Sequence, residues 1–204
     1  TLNGKTPGRC SKLYKEPLVI TESCELKAAA MRDGVEPKIF TKKFDFHKAT
    51  GKTVTYSRQP HRRYSATAPG GLVDAVRGPE VFKSVEWTAW NGKPFDIIVD
   101  MEETQPYSSV TLGLVSNKPS YLFLPKAISV AVSDDGVAYA DVAAQEYEIE
   151  GKDDPDTLAE RTLSFSETSA RYLKITVTPV PANPEWHYAA GRSTFVFIDE
   201  IIVD

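Results

Sequence analysis

The chain has 204 residues, a hydrophobic share of 41% and a formal net charge of −4 at pH 7, a composition that can build one or two packed domains. No apolar run approaches the roughly 20 residues of a membrane-spanning helix, so we expect no membrane insertion. Cys10 and Cys24 are too few for a disulfide framework or a paired-cysteine metal cluster, and both a single bridge and two independent thiols fit them.

The first part of the chain, residues 1–46, has its own strand patterns in "PLVI", "CELKAAAM" and "KIFTKKFDF". Residues 1–63 carry 14 Lys and Arg against 6 Asp and Glu, whereas residues 64–204 carry 10 against 22. A change of sign of this kind favours two modules. Residues 47–60, "HKATGKTVTYSRQP", are predicted to form a linker or the first strand of the second module.

Basic residues are frequent near the junction of the two modules. They include Lys42, Lys43, Lys48, Arg62 and Arg63. Because they are scattered and form no recognition motif, we interpret them as a solvated face and predict no nucleic-acid partner.

Strand signals dominate residues 61–204. "PFDIIVDM" and "TFVFIDEIIVD" are typical of fully buried strands, and Gly, Asn and Pro turns such as "WNGKP" separate the strand patterns. Three further runs alternate, with apolar positions at Val110, Leu112 and Leu114, at Ile128, Val130 and Val132, and at Leu173, Ile175 and Val177. "GLVDAVRG" is the one short helical candidate. The pattern predicts an all-β sandwich or barrel.

No catalytic motif accompanies these strands. The sequence lacks Gly-x-Ser-x-Gly, His-Glu-x-x-His and a phosphate-cradling glycine loop. His47, His61 and His187 lie in separate segments, and the acidic clusters "DMEE" and "KDDPD" are predicted in solvated turns. We therefore expect no catalytic residues in this segment.

The opening residues support a more specific interpretation. Residues 1–46 resemble the end of the small immunoglobulin-like domain near the C-terminus of bacterial chitobiases and β-hexosaminidases. The matching positions are Leu2-Asn3-Gly4, Pro17-Leu18, Ser23, Leu26-Lys27-Ala28 and Asp33-Gly34. The resemblance begins inside the motif, so a partial immunoglobulin-like β-sandwich is expected here.

The rest of the chain, residues 61–204, resembles the discoidin-like, or coagulation-factor type C, galactose-binding fold, in the version appended to hexosaminidases of Bacteroides-type bacteria. The segments that carry the resemblance are "LVDAVRG", "WTAW-GK", "DIIVDM", "SVTLGL", "FLPKAISVAVSDDG", "ARYLKI", "WHYAAGR" and "FIDEIIV". The resemblance implies an eight-stranded jelly roll that binds a glycan through loops at one end. It also implies a structural calcium ion.

Two acidic residues in the last strand bear on the calcium prediction. Asp199 and Glu200 lie in a run that is apolar on both faces, where an unpaired carboxylate costs several kcal/mol. The resemblance assigns Asp74 and Glu200 as metal ligands, and Asp199 is a third candidate because calcium prefers several oxygen ligands. The alternative is a salt bridge from Arg77 to one of these acids.

The segment "NPEWHYAAGR" contains the ring and donor groups that sugars require, because aromatic faces stack on C–H groups and polar groups bond hydroxyls. The predicted glycan-binding residues are Trp186, His187, Arg192, Trp90 and Tyr121, the last two on other loops. For Trp186 the alternative is a plug at the end of the barrel, and for His187 a structural hydrogen bond. Arg192 has the alternative of an ion pair with a nearby acid, and Trp87 is predicted to lie in the core.

These observations predict a noncatalytic carbohydrate-binding module of a secreted glycoside hydrolase, a chitobiase or β-N-acetylhexosaminidase. Its expected partners are galactose, N-acetylglucosamine or a related glycan, and the catalytic domain of the same chain. The expected location is the periplasm or cell surface of a Gram-negative bacterium. The alternative is a scaffold that packs on the catalytic domain and binds no sugar. An α-fucosidase parent and protein recognition are further alternatives.

Overall fold

The computed structural model describes all 204 residues, Thr1–Asp204, and confirms the predicted all-β fold. Its strands are β1 (Cys24–Ala29), β2 (Ile39–Phe44), β3 (Thr53–Tyr56), β4 (Thr88–Asn91), β5 (Phe95–Val115), β6 (Ala127–Ser133), β7 (Ala140–Glu146), β8 (Leu158–Thr178) and β9 (Phe195–Val203). Helical structure is limited to single 3-10 turns at Gly70–Leu72 and Lys118–Ser120, so the helical candidate "GLVDAVRG" contributes one turn at its start. Neither turn has the length or the apolar character needed to cross a bilayer.

Strands β3–β9 form a β-sandwich in which two long strands belong to both layers. The first half of β5 pairs with β3 and with the second half of β8, which in turn pairs with β6. The second half of β5 pairs with β9 and with the first half of β8. Register shifts in the β5–β8 pairing after Asp100 and Tyr107 mark the bend between the layers. This arrangement agrees with the expected jelly roll.

One hydrophobic core lies between the layers. Its 25 buried residues include Ile97 and Ile175 from one layer and Leu112 and Ile201 from the other, so the two sheets close on each other. The predicted core position of Trp87 is confirmed, since the ring is buried in a smaller cluster.

Residues 1–46 form a separate two-stranded sheet and not a second sandwich. β1 pairs with β2, and Asn3 bridges to Glu25 on the other side of β1. Within this segment only Pro7 is buried. Cys10 and Cys24 are free thiols. The hairpin contacts the sandwich through the ion pair between Lys42 and Glu86 and through an antiparallel bridge between Phe44 and Val76.

The chain joins the sandwich close after the hairpin. The Lys48 N–H donates to the Val203 carbonyl over 3.0 Å, and β3, within the segment predicted as linker or first strand, pairs with β5. Strands β3 and β8 end on the side of the sandwich where β5 and β9 begin. The segments that emerge on this side are 57–64, 92–94, 116–126 and 179–194. We call this side the loop end.

Candidate functional site

The loop between β8 and β9 closes on itself at its base. The Asn183 N–H donates to the Arg192 carbonyl over 2.7 Å, and the Gly191 N–H donates to the Asn183 carbonyl over 3.0 Å. The Asn183 side-chain amide also reaches the Ala189 carbonyl at 3.1 Å. Gly191 has φ +78, a conformation that glycine adopts without a steric penalty. These contacts fix residues 184–190 as a protruding loop.

A second loop lies against the first. Between β5 and β6, Asn117 and Leu122 exchange hydrogen bonds of 3.1 Å around the 3-10 turn, and Tyr121 follows with φ +69. The Tyr121 carbonyl accepts the Phe195 N–H over 2.8 Å, which ties this loop to the first residue of β9.

Rings from both loops meet at the loop end. The Tyr188 hydroxyl donates to the Pro119 carbonyl over 3.0 Å and hydrogen-bonds with the Tyr121 hydroxyl over 3.0 Å. The two tyrosine rings lie 5.8 Å apart. The hydrogen bond to Tyr121 raises the pKa of Tyr188. We call Tyr121, Trp186 and Tyr188 the ring cluster.

The outward residues of the cluster are Trp186 and Tyr188, which are 37% and 75% exposed. One side of Trp186 packs near Phe123, with ring centroids 6.0 Å apart, so the indole is anchored and still partly open to solvent. Arg192 is exposed, and its guanidinium forms no ion pair or hydrogen bond within the protein. Two open rings and one cation without a partner thus lie on a single loop.

His187 points inward and has no free ring nitrogen. Its Nε2 lies 2.8 Å from the Lys118 carbonyl, and its Nδ1 lies 3.1 Å from the Ala189 N–H. A carbonyl only accepts and an N–H only donates, so the ring is the neutral tautomer with the proton on Nε2. The predicted sugar contact through His187 is therefore replaced by its alternative, a structural hydrogen bond.

The prediction that Trp90 lies on a loop and contacts glycan is wrong. Trp90 lies in β4, is 1% exposed, and stacks on Phe95 with centroids 4.3 Å apart. Its Nε1–H donates to the Arg58 carbonyl over 2.9 Å. The ring fills the core beneath the loop end, so its face is closed to any ligand.

The buried acid Asp199 is paired with Arg77, as the alternative interpretation predicted, while its Oδ1 is buried without a hydrogen-bond partner. Its Oδ2 lies 3.1 Å from the guanidinium Nε of Arg77 and accepts the Gly78 N–H over 2.7 Å. Gly113 leaves the space for this pair, because a Cβ there would lie 1.9 Å from Asp199 Oδ1.

Glu200 and Asp74 lie together with His47 at the other end of the sandwich. Glu200 Oε1 accepts the Ala75 N–H over 3.1 Å and lies 2.8 Å from His47 Nε2. His47 Nδ1 accepts the Ala49 N–H over 3.2 Å, so Nε2 carries the proton and donates to Glu200. Burial raises the pKa of Glu200 to about 9, an effect that the charge of Asp74 reinforces, and burial lowers the pKa of His47 to about 4.

A calcium ion at these acids stays a prediction: Glu200 Oε2 and Asp199 Oδ1 are buried without a partner, but the other oxygens of both carboxylates are engaged by the protein. Calcium needs several deprotonated oxygen ligands around one point, whereas N–H groups donate to Glu200 Oε1 and, from Val76, to Asp74 Oδ1. Nowhere in the chain do three acidic, His or Cys side chains converge in metal-binding geometry. The contacts satisfy Glu200 Oε1 with N–H donors, while burial favours the protonated form of the acid.

Two residues that the sequence analysis did not select contribute to the site. Tyr188 is the most exposed ring, and its signal is its place in the aromatic run "WHY" of this loop. Lys118 is 5% exposed and holds the second loop through Asp156, 2.9 Å from its ammonium. No sequence pattern marks a buried lysine in "SNKPS".

Comparisons with known proteins complete this description. No curated protein matches the chain. Among solved structures, the module CpGH89CBM32-5 from Clostridium perfringens, in complex with GalNAc-β-1,3-galactose, is 16% identical, and the match covers 74% of this chain and 93% of that chain with a TM-score of 0.48. Chitosan-binding module 1 of a chitosanase/glucanase from Paenibacillus sp. IK-5 is 19% identical, with coverages of 78% and 98% and a TM-score of 0.48. A GH29 fucosidase from Ruminococcus gnavus in complex with fucose is 18% identical, with coverages of 77% and 26% and a TM-score of 0.46.

Two family models match different parts of the sequence. Residues 1–44 match the model described as "Fn3 associated", and residues 53–193 match the model of the F5/8 type C domain. The second match begins with β3 and spans the sandwich up to β9. Since it covers more than half of the sequence, this chain belongs to the F5/8 type C domain family.

Proposed function

We propose that the chain is a noncatalytic carbohydrate-binding module and that the ring cluster, together with Arg192, holds the glycan. The observation that carries the proposal is the pair of open rings, Trp186 and Tyr188, beside a guanidinium that has no partner in the protein. A sugar presents C–H faces to such rings and hydroxyls to such a donor.

The arrangement supports modest affinity for single sugars. A millimolar dissociation constant corresponds to only about 4 kcal/mol, which one stacked ring and a few hydrogen bonds can supply. Because the cluster is anchored by Phe123 beneath Trp186 and by the Pro119 carbonyl beneath Tyr188, little ordering is needed on binding.

The biological setting is part of the proposal. We infer a secreted glycoside hydrolase, of the chitobiase or β-N-acetylhexosaminidase type, located in the periplasm or at the cell surface. Its catalytic domain would lie elsewhere in the same polypeptide, and the module would raise the local substrate concentration by tethering. The support for this parent is the resemblance of residues 1–46 to the small domain of chitobiases and β-hexosaminidases.

The test is a titration of the whole chain with galactose and N-acetylglucosamine, followed by NMR and preceded by a glycan array. Shifts are expected in residues 184–192 and at Tyr121. Trp186→Ala and Tyr188→Ala should each weaken binding at least tenfold, whereas Trp186→Phe should retain part of it because a ring remains. If no sugar shifts this loop at high millimolar concentration, the proposal fails.

A scaffold function is the second candidate, and the hairpin supports it. Apolar side chains of residues 1–46, such as Leu13, Val19 and Phe40, are largely exposed, and another domain could cover them. The buried Trp90 fits this candidate equally well. A failed glycan titration would leave the scaffold as the better supported function.

A further inference from the structure

A cavity of about 280 Å³ lies at the loop end beside β3, outside the ring cluster. It is lined by Tyr56, Gln59, Pro60, Arg62, Ser65, Ala68 and Pro69. Its wall is held by backbone hydrogen bonds from His61 to Ala89 (2.7 Å) and from Tyr64 to His61 (2.7 Å). The volume lies near the small end of the range for ligand pockets, about 300–1,000 Å³.

The polar side chains that line the cavity have no partners in the protein. Tyr56, Gln59, Arg62 and Ser65 make no side-chain hydrogen bond and no ion pair. The Tyr56 hydroxyl is in addition shielded from solvent, and a buried hydroxyl without a partner is unfavourable. The Ser65 hydroxyl, the Gln59 amide and the Arg62 guanidinium are thus left without protein partners around one small space.

The charge around the cavity is positive although the whole chain is negative. No Asp or Glu occurs from Phe46 to Val73. Arg63 forms no ion pair, and Arg58 donates only to neutral oxygens, among them the Lys93 carbonyl at 2.7 Å. Because no carboxylate of the protein neutralises Arg62, an anionic group is the natural partner for its planar guanidinium.

We propose that this cavity is a second saccharide site and that it takes an acidic sugar, a uronic acid or a sulfated sugar. Arg62 bonds the carboxylate or sulfate, and the hydroxyl and amide groups of Ser65 and Gln59 bond the sugar hydroxyls. The site goes beyond the ring cluster, since none of its lining residues belongs to that cluster. Its occupation therefore does not depend on sugar binding at Trp186 and Tyr188.

The test uses the whole chain and four probes: galacturonate, galactose 6-sulfate, galactose and inorganic sulfate. NMR signals of residues 56–69 are expected to shift with at least one of the two acidic sugars, at least tenfold more tightly than with galactose or inorganic sulfate. Arg62→Gln should weaken this binding at least tenfold. Arg63→Gln, which removes the same charge from a neighbour outside the cavity, should change it less than twofold.

Trp186→Ala separates this site from the ring cluster, since it should leave acidic-sugar binding at residues 56–69 unchanged. Three results would overturn the inference: no shift of residues 56–69 with either acidic sugar, equal binding of inorganic sulfate, or equal losses in Arg62→Gln and Arg63→Gln. Failure of galactose to bind at residues 184–192 would instead count against the ring cluster alone.

Discussion

At the scale of single residues, the buried acids Asp199 and Glu200 show how neighbours in sequence acquire different chemistry. Burial raises the pKa of Asp199, but Arg77 and the Gly78 N–H stabilise its anion. Glu200 has no cation beside it and accepts hydrogen bonds from His47 and Ala75. A neighbouring guanidinium favours the charged form of a buried carboxylate, whereas burial without a neighbouring cation favours the protonated form.

Gly113→Ala should destabilise the sandwich through Asp199. The added Cβ would lie 1.9 Å from Asp199 Oδ1 and 2.6 Å from Arg77 Nη2, so the buried ion pair must shift. We expect a loss of about 1–3 kcal/mol in the free energy of unfolding, measured by urea denaturation. Gly70→Ala is the matched control, because a Cβ there meets nothing within 4 Å. Equal stability of the two variants would contradict this account of Gly113.

The pair of Glu200 and His47 predicts that stability falls as the pH rises from about 6.5 to about 9. In the unfolded chain the two groups lose their protons near 4.5 and 6.5, their ordinary pKa values. In the folded protein Glu200 keeps its proton up to about pH 9, and His47 is neutral above about pH 4. Between about pH 4.5 and pH 6.5 the pair of Glu200 and His47 carries one proton in both the folded and the unfolded protein. Above about pH 6.5 only the folded protein retains this proton.

The free energy of unfolding should therefore drop by up to about 1.4 kcal/mol per pH unit above pH 6.5. Urea denaturation at several pH values between 6 and 9 measures this slope. Glu200→Gln, which mimics the protonated side chain, should flatten it. A slope that persists unchanged in Glu200→Gln would show that other groups cause it.

At the scale of elements, the loops of the site are connected through Lys118. Its carbonyl accepts the His187 Nε2–H, while its N–H and ammonium lie 3.0 and 2.9 Å from Asp156 Oδ1. Although burial alone would raise it, these contacts with Lys118 hold the pKa of Asp156 below its ordinary value. The acidic segment before β8 thus supports the loop that carries Tyr121.

Lys118→Met should loosen this connection. Because Asp156 remains partly solvated, the expected loss is about 1–3 kcal/mol, below that for a fully buried pair. NMR signals of Tyr121 and Tyr188 should shift, and galactose binding at the ring cluster should weaken with them. Lys126→Met, the control, removes an exposed lysine that has no ion pair and should change neither quantity. Unchanged ring signals in Lys118→Met would refute a positioning role.

The strands differed in how well the sequence predicted them. The alternation of Val110, Leu112 and Leu114 fixed one face of β5 because those side chains enter the core. Strand β4 was not predicted because it is only four residues long and ends in the turn signal "NGK". Trp90 was therefore predicted to lie on a loop. The first half of β8 was missed because only Leu163 and Phe165 alternate there. The pairing of Lys118 with Asp156 depends on the tertiary fold and leaves no local pattern.

At the scale of the whole molecule, the hairpin and the sandwich differ in what they contribute to the hydrophobic core. Residue 49 is the first to enter the shared core, and no residue of the hairpin belongs to it. The contacts across the junction are few and include the ion pair of Lys42 with Glu86 and the Asp45 N–H bonded to the Ala75 carbonyl at 2.8 Å. The sandwich therefore carries its own stability.

Removal of residues 1–44 should leave the sandwich folded. An exposed or partly exposed ion pair contributes at most about 1 kcal/mol, which corresponds to about 2–4 °C in Tm for a domain of this size. Circular dichroism during heating should show one cooperative transition within that range of the full chain. The contact of His47 with Glu200 is retained in this variant. Loss of cooperative unfolding would show that the hairpin is an integral part of the domain.

Strand β9 has a consequence for the orientation of the module. It begins at Phe195, bonded to Tyr121, and ends at Val203, bonded to Lys48, so its length of roughly 26 Å separates the ring cluster from the points where the polypeptide enters and leaves the sandwich. Any polypeptide joined at those points is attached on the far side. Both proposed saccharide surfaces face outward, away from the attachment, where a glycan can approach without steric obstruction from the protein's own chain.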